Sequence, residues 1–95
     1  MRNITEEESL AILKPIVERE DFIEFSNHMP FKKRFGENTF KFTINILSLD
    51  VLISIMEHPQ VHNVYFAATA PGPGKSISTI SMNYKIYVKY HAIED

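Results

Sequence analysis

The chain has no cysteine, which excludes a disulfide framework, thiolate metal sites and thiol nucleophiles, and removes the usual cue to redox compartment. Glycine is scarce as well, three in 95 residues, leaving little of the backbone freedom that site loops often use. No apolar run approaches the roughly 18 residues of a membrane span. The opening Met-Arg-Asn-Ile-Thr-Glu-Glu-Glu is acidic, where a secretory leader is basic and then apolar. A cytoplasmic protein with no leader removed and no membrane association is therefore expected. Charge of one sign is missing too: ten Lys and Arg against twelve Asp and Glu give a formal net charge of -2. That is too weak a field to draw nucleic acid or anionic lipid from a distance, so any such binding must be local.

What is present fits one domain. A chain of 95 residues that is 44% hydrophobic can bury a single core but not two, so residues 1–95 are read as one unit. Thr5 and Glu8 have the spacing of a capping box, with Glu6 to Glu8 where a helix dipole favours negative charge. Leu10, Leu13 and Val17 would form that helix's inner stripe. Pro15 lacks the donor and clashes with the carbonyl four residues back, which predicts two short pieces rather than one rod. Asp21 to Asn27 reads as a short strand and His28 to Asn38 as a loop. From Thr39 to Ile46 the alternation is strict, with Phe40, Phe42, Ile44 and Ile46 on one face. Ser48 can cap a helix over 49–57 in which Leu49, Leu52, Ile53 and Met56 recur at helical spacing, with Pro59 just past its end. Val61 to Ala68 reads as a strand, and the alternation resumes from Ser76 to Tyr90, with a bulge or bend expected near Ser81 to Asn83. There, Ile80, Met82, Tyr84, Ile86, Val88 and Tyr90 share one face while Lys85, Tyr87 and Lys89 share the other.

The expected fold is α+β: a small single-layer sheet of three or four strands, mixed or antiparallel, with two or three short helices packed on one face. The strand, helix, strand unit at 39–68 allows a parallel crossover.

Chemistry is sparse. The segment Ala70-Pro71-Gly72-Pro73-Gly74-Lys75-Ser76 shares Gly74, Lys75 and Ser76 with a P-loop. The position of the first required glycine is Thr69, two prolines delete donors from the cradle, and the following residues alternate as a strand rather than opening a helix. An exposed hairpin connection between 61–69 and 76–90 fits better. Lys32-Lys33-Arg34, flanked by Phe31 and Phe35, combines charge with stackable rings as single-stranded nucleic-acid surfaces do, but a solvated loop anchored to the core by its phenylalanines explains it better. His58 and His62 have helical ligand spacing, yet Pro59 stands between them, so no metal and no cofactor is expected. No serine sits in a nucleophile elbow, and the paired carboxylates at Glu6 to Glu8 and Glu18 to Asp21 look like solvated helix faces. No catalytic residue is assigned.

Tyr87 between Lys85 and Lys89 on a wet strand face is either a cross-strand partner or an interface anchor. The function expected from sequence is a small non-catalytic protein-interaction domain, an inhibitor or adaptor of a larger protein partner, with Tyr87, Lys85 and Lys89 as the contact. A homodimer is expected, because two sheet edges, at 21–27 and 76–90, lack obvious defences. The alternative is a nucleotide- or nucleic-acid-binding module contacting phosphates through Lys32, Lys33, Arg34 and the loop from Gly72 through Gly74 and Lys75 to Ser76.

Overall fold

The computed structural model describes residues 1–18, 21–26, 29–68 and 83–95. Their order is α1 (Glu6–Ile16), β1 (Asp21–Ser26), α2 (Met29–Phe35), β2 (Thr39–Asn45), α3 (Leu49–Glu57), β3 (Val61–Ala68) and β4 (Asn83–Tyr90). The four strands form one sheet in the order β1-β2-β4-β3, and every neighbouring pair is antiparallel. The fold is a small α+β unit, and among the sequence alternatives the sheet is antiparallel rather than mixed. β2 and β3 do run the same way, but β4 lies between them, so the 39–68 unit is a split crossover rather than a directly paired one. The expected bend at 81–83 and the connection at 70–75 lie largely or wholly outside the described residues. The antiparallel pairing of 61–68 with 84–90 does not, and it holds.

α1 begins as its capping box dictates. Glu8 N donates to Thr5 Oγ1 at 3.2 Å and Thr5 N donates to Glu8 Oε1 at 3.0 Å. Contrary to the expected break, α1 is one helix with Pro15 in its final turn. Only one carbonyl loses its intrahelical donor so close to the end, and the Val17 N–H closes the last turn on Leu13 O at 3.1 Å. Residues 29–35, read as loop, form α2. Pro30 stands in its first turn, where a missing donor costs nothing.

The core lies between the sheet and two helices. Phe40, Phe42 and Ile44 of β2 and Ile86, Val88 and Tyr90 of β4 are buried with Leu13 of α1, Val17 at its C-cap, and Val51 and Ile55 of α3. Leu10 packs half-buried against them. Two expected core members fall elsewhere. Ile46 leaves the strand at φ 55° and is 59% exposed, because the chain turns there before Ser48 caps α3, its Oγ accepting from Val51 N at 3.2 Å. Leu52 is only half-buried, since α3 is rotated so that Val51 and Ile55 point inward.

Tyr90 links the layers: its hydroxyl donates to the Ser9 carbonyl at 3.0 Å. Burial pushes its phenol above the ordinary value of 10.0. The folded state thus favours the neutral ring, and this contribution is present below pH 10 and lost as pH rises further.

The turn into β2 carries two left-handed residues. Gly36 sits at φ 96°, and a Cβ there would stand 3.1 Å from Lys89 Nζ. Asn38, at φ 64°, accepts from Ile4 N through Oδ1 at 2.7 Å and from Tyr90 N through its carbonyl at 2.9 Å. Asn38→Ala should therefore cost about 1–3 kcal/mol in urea unfolding, from a lost hydrogen bond plus backbone strain. Asn38→Gly, which keeps the conformation accessible, should cost measurably less.

The termini close on each other. Arg2 and Ile93 exchange two backbone hydrogen bonds, at 2.9 and 2.8 Å, and the Arg2 guanidinium forks onto both Glu8 oxygens at 2.6 and 2.8 Å. The Arg2 side-chain hydrogen bond, helped by the Thr5 N–H, holds the Glu8 carboxyl at about 2, below its ordinary 4.5. A depressed acid stabilises the fold above its unfolded value and loses that effect as pH falls through the folded one. Acid unfolding of the parent should therefore show a contribution fading between pH 4.5 and about 2. Arg2→Ala should flatten the profile in that window.

Candidate functional site

The sheet face turned away from α1 and α3 carries the residues singled out from sequence. In register, Tyr87 lies opposite Lys41 on one side and Tyr65 on the other, Lys89 opposite Thr39, and Lys85 opposite Thr43. The period-two pattern places Lys41, Lys85, Lys89, Tyr65 and Tyr87 on this face together, because its partner positions fill the core. All five are half-buried.

α2 reaches the same face through its last residue. The Phe35 ring lies 4.5 Å from Tyr65 and 4.9 Å from Tyr87, tilted 33° and 34°. Arg34 stands 5.2 Å from the Phe35 ring centre. Lys32 Nζ sits 5.2 Å over the Phe40 ring, a cation–π position at the rim of the core, while Lys33 and Arg34 are exposed. Two clusters treated separately in sequence, the basic run and the Tyr87 strand, thus form one surface. Tyr87 is not a bare anchor: its ring is already packed beneath Phe35. Gly72, Gly74, Lys75 and Ser76 lie outside the described residues.

The described histidines do not converge as a group. His58 ends α3, its Nδ1 accepting from Gln60 N at 3.1 Å, whereas His62 is on β3 and meets His91 edge-on at 4.9 Å. Among the described residues no three His, Asp or Glu side chains gather as a metal site requires. A shallow groove between the last turn of α1 and Phe22 is lined by Ala11, Lys14, Pro15, Val17 and Glu18, and no two of these form an acid–base or nucleophile pair.

A second surface was missed in sequence because helical spacing alone does not say which stripe of α3 faces the core. On α3, Val51 and Ile55 are buried, while Leu49, Ile53 and Met56 are 70%, 41% and 58% exposed. At 3.6 residues per turn these three fall on one stripe, roughly 150° around the helix from Val51 and Ile55. Asp50 and Glu57, both exposed, lie together along one flank of it. The stripe that helical spacing picks out is therefore, Leu52 aside, the outer one. No helix among the described residues is long and apolar enough to cross a membrane.

Comparison with protein-family models, with curated proteins and with solved structures finds no match to the chain.

Proposed function

We propose that the protein is a non-catalytic protein-interaction domain, an inhibitor or adaptor, and that it engages its partner through the outer stripe of α3. The observation that carries this reading is the set of three aligned apolar side chains, Leu49, Ile53 and Met56, turned to solvent on a helix whose other side fills the core. Scattered exposed apolar residues are ordinary, whereas an aligned row on a rigid helix is what an apolar groove or a second amphipathic helix recognises. Asp50 and Glu57 beside the row favour a partner whose apolar segment is flanked by Lys or Arg. They disfavour a copy of α3 itself, because an antiparallel pair would bring acid against acid.

The sheet edges lend less support to self-association than the sequence suggested. β4 is interior, so the edges are β1 and β3. Each edge carries one extra residue, at Ile23 and at His62, where the register shifts. Such bulges interrupt the donor and acceptor row that a second chain would pair with.

The test is a photo-crosslinking residue at position 53 in an extract of the source organism, with the same residue at position 85 on the opposite face as control. The crosslinked protein is then purified and its affinity measured. Crosslinking to a protein from 53 and not from 85, and a loss of affinity of about 10- to 100-fold for Ile53→Glu in a normally folded variant, is the expected result. Equal affinity of Ile53→Glu and parent for that partner would remove α3 from the interface.

A further inference from the structure

We infer that the sheet face bearing Arg34, Phe35, Tyr65 and Tyr87 is a second binding surface, and that its ligand is single-stranded nucleic acid. This inference is independent of the α3 reading and concerns the opposite side of the sheet.

The net charge conceals a two-sided molecule. The described carboxylates of the helical layer are Glu6, Glu7, Glu8 and Glu18 in or just after α1 and Asp50 and Glu57 on α3. On the other side are Lys41, Lys85 and Lys89 of the sheet and Lys33 and Arg34 of α2, with the acid Glu37 just past the end of α2, while Lys14 of α1 is a cation of the helical layer. Among the described residues none of the five cations on the sheet and α2 has a carboxylate within ion-pair distance; the two bridges found both belong to Arg2. A chain with more acids than bases thus presents a surface whose cations form no ion pair with the described residues. The field is local and short-ranged, and of the sign a phosphate backbone requires.

Charge alone would suit any polyanion. The rings narrow the choice. Lys85 and Lys89 sit two residues to either side of Tyr87 along β4, with Lys41 directly across from it on β2. Around the ring cluster, cations are therefore disposed on more than one side, so a backbone passing over the face meets a lysine on each approach while its bases meet aromatic surface. Phe35 and the two tyrosines form a contiguous half-exposed platform, and the Arg34 guanidinium stands 5.2 Å from the Phe35 ring centre, within cation–π reach. Unpaired bases stack on such rings and on arginine planes, whereas a duplex hides its base faces and a polysulfate has none. Two acidic positions are in register with this face, Asp21 opposite Asn45 and Glu24 opposite Thr43, both on β1. The strand is accordingly expected to run over β2, β4 and β3 and to avoid the β1 edge.

The measurement is fluorescence anisotropy of labelled oligothymidine and oligouridine, with a duplex of equal length and heparin as comparators, from about 50 to about 200 mM salt. The parent should bind both single strands and prefer them to the duplex. Lys85→Ala and Lys89→Ala should each weaken binding and reduce the slope of log K against log salt by about 0.7. Phe35→Leu should weaken it by about 5- to 100-fold with the slope unchanged. Phe35 also packs on the sheet, so Arg34→Ala, at an exposed position, gives the same reading without risk to folding: a loss specific to the single strands. No binding of either oligonucleotide at the lowest salt overturns the proposal. So does binding in which duplex and heparin compete as well as single strands and Phe35→Leu and Arg34→Ala have no selective effect, since the face would then be a plain cationic surface. If the proposal fails in either way, the α3 crosslinking result is untouched.

Discussion

Phe42→Ala is expected to lower the unfolding free energy by about 3–5 kcal/mol, enough to leave much of the population unfolded at moderate temperature. Phe42 is fully buried at the centre of the sheet, opposite Ile86 on β4, and its ring lies 6.1 Å from that of Phe22 on β1. Truncation removes the ring from both contacts and leaves a cavity that two antiparallel neighbours, held by their ladders, cannot collapse to fill. Urea titration followed by far-ultraviolet circular dichroism measures the loss. A midpoint equal to that of the parent would mean that β2 faces the other way.

The second large effect separates the two sides of α3. Ile55→Ala should cost about 2–5 kcal/mol, because Ile55 is fully buried against the core. Ile53→Gln, two residues earlier on a side chain 41% exposed, should change stability by no more than about 0.5 kcal/mol. The contrast is the informative quantity, since both substitutions use good helix formers and neither disturbs the Ser48 cap. Comparable losses at the two positions would place Ile53 in the core and leave the protein-interaction reading without its surface.

The orientation of α3 also marks a limit of reading this chain by eye. Its nine residues hold two apolar stripes, Val51 with Ile55 and Leu49 with Leu52, Ile53 and Met56, and periodicity favours the larger. Tertiary packing selects the smaller, β-branched pair, and no local signal in the sequence says so. Where the determinant is local, the reading succeeds. The Thr5 and Glu8 capping box, the Ser48 cap and the alternation over Phe40, Phe42 and Ile44 all depend on neighbours within a few positions. α2 escaped notice because seven residues give barely two turns, three of them consecutive cations, so no apolar period could develop. The strand order was legible only in part: the alternation on either side of the Pro-Gly segment announces the pairing of β3 with β4, whereas the pairing of β4 with β2, across roughly forty to fifty residues of chain, leaves no local signal. Likewise, the basic run and the Tyr87 strand were each visible, but nothing in their separation of some fifty positions announces that Phe35 stacks on Tyr87.

The placement of β4 between β2 and β3 governs how the chain can fold as it is made. Five of the seven elements emerge from the ribosome before β3, and all but β4 before the strand that completes the sheet. Until Asn83–Tyr90 is available, β2 has one partner and β3 has none, while Phe40, Phe42 and Ile44 face water without Ile86, Val88 and Tyr90 beside them. The nascent chain must therefore carry an unfinished apolar sheet until Asn83–Tyr90 has emerged. Closure then falls to β4, which has to slide into a gap between two others and meet the loop entropy of distant contacts first.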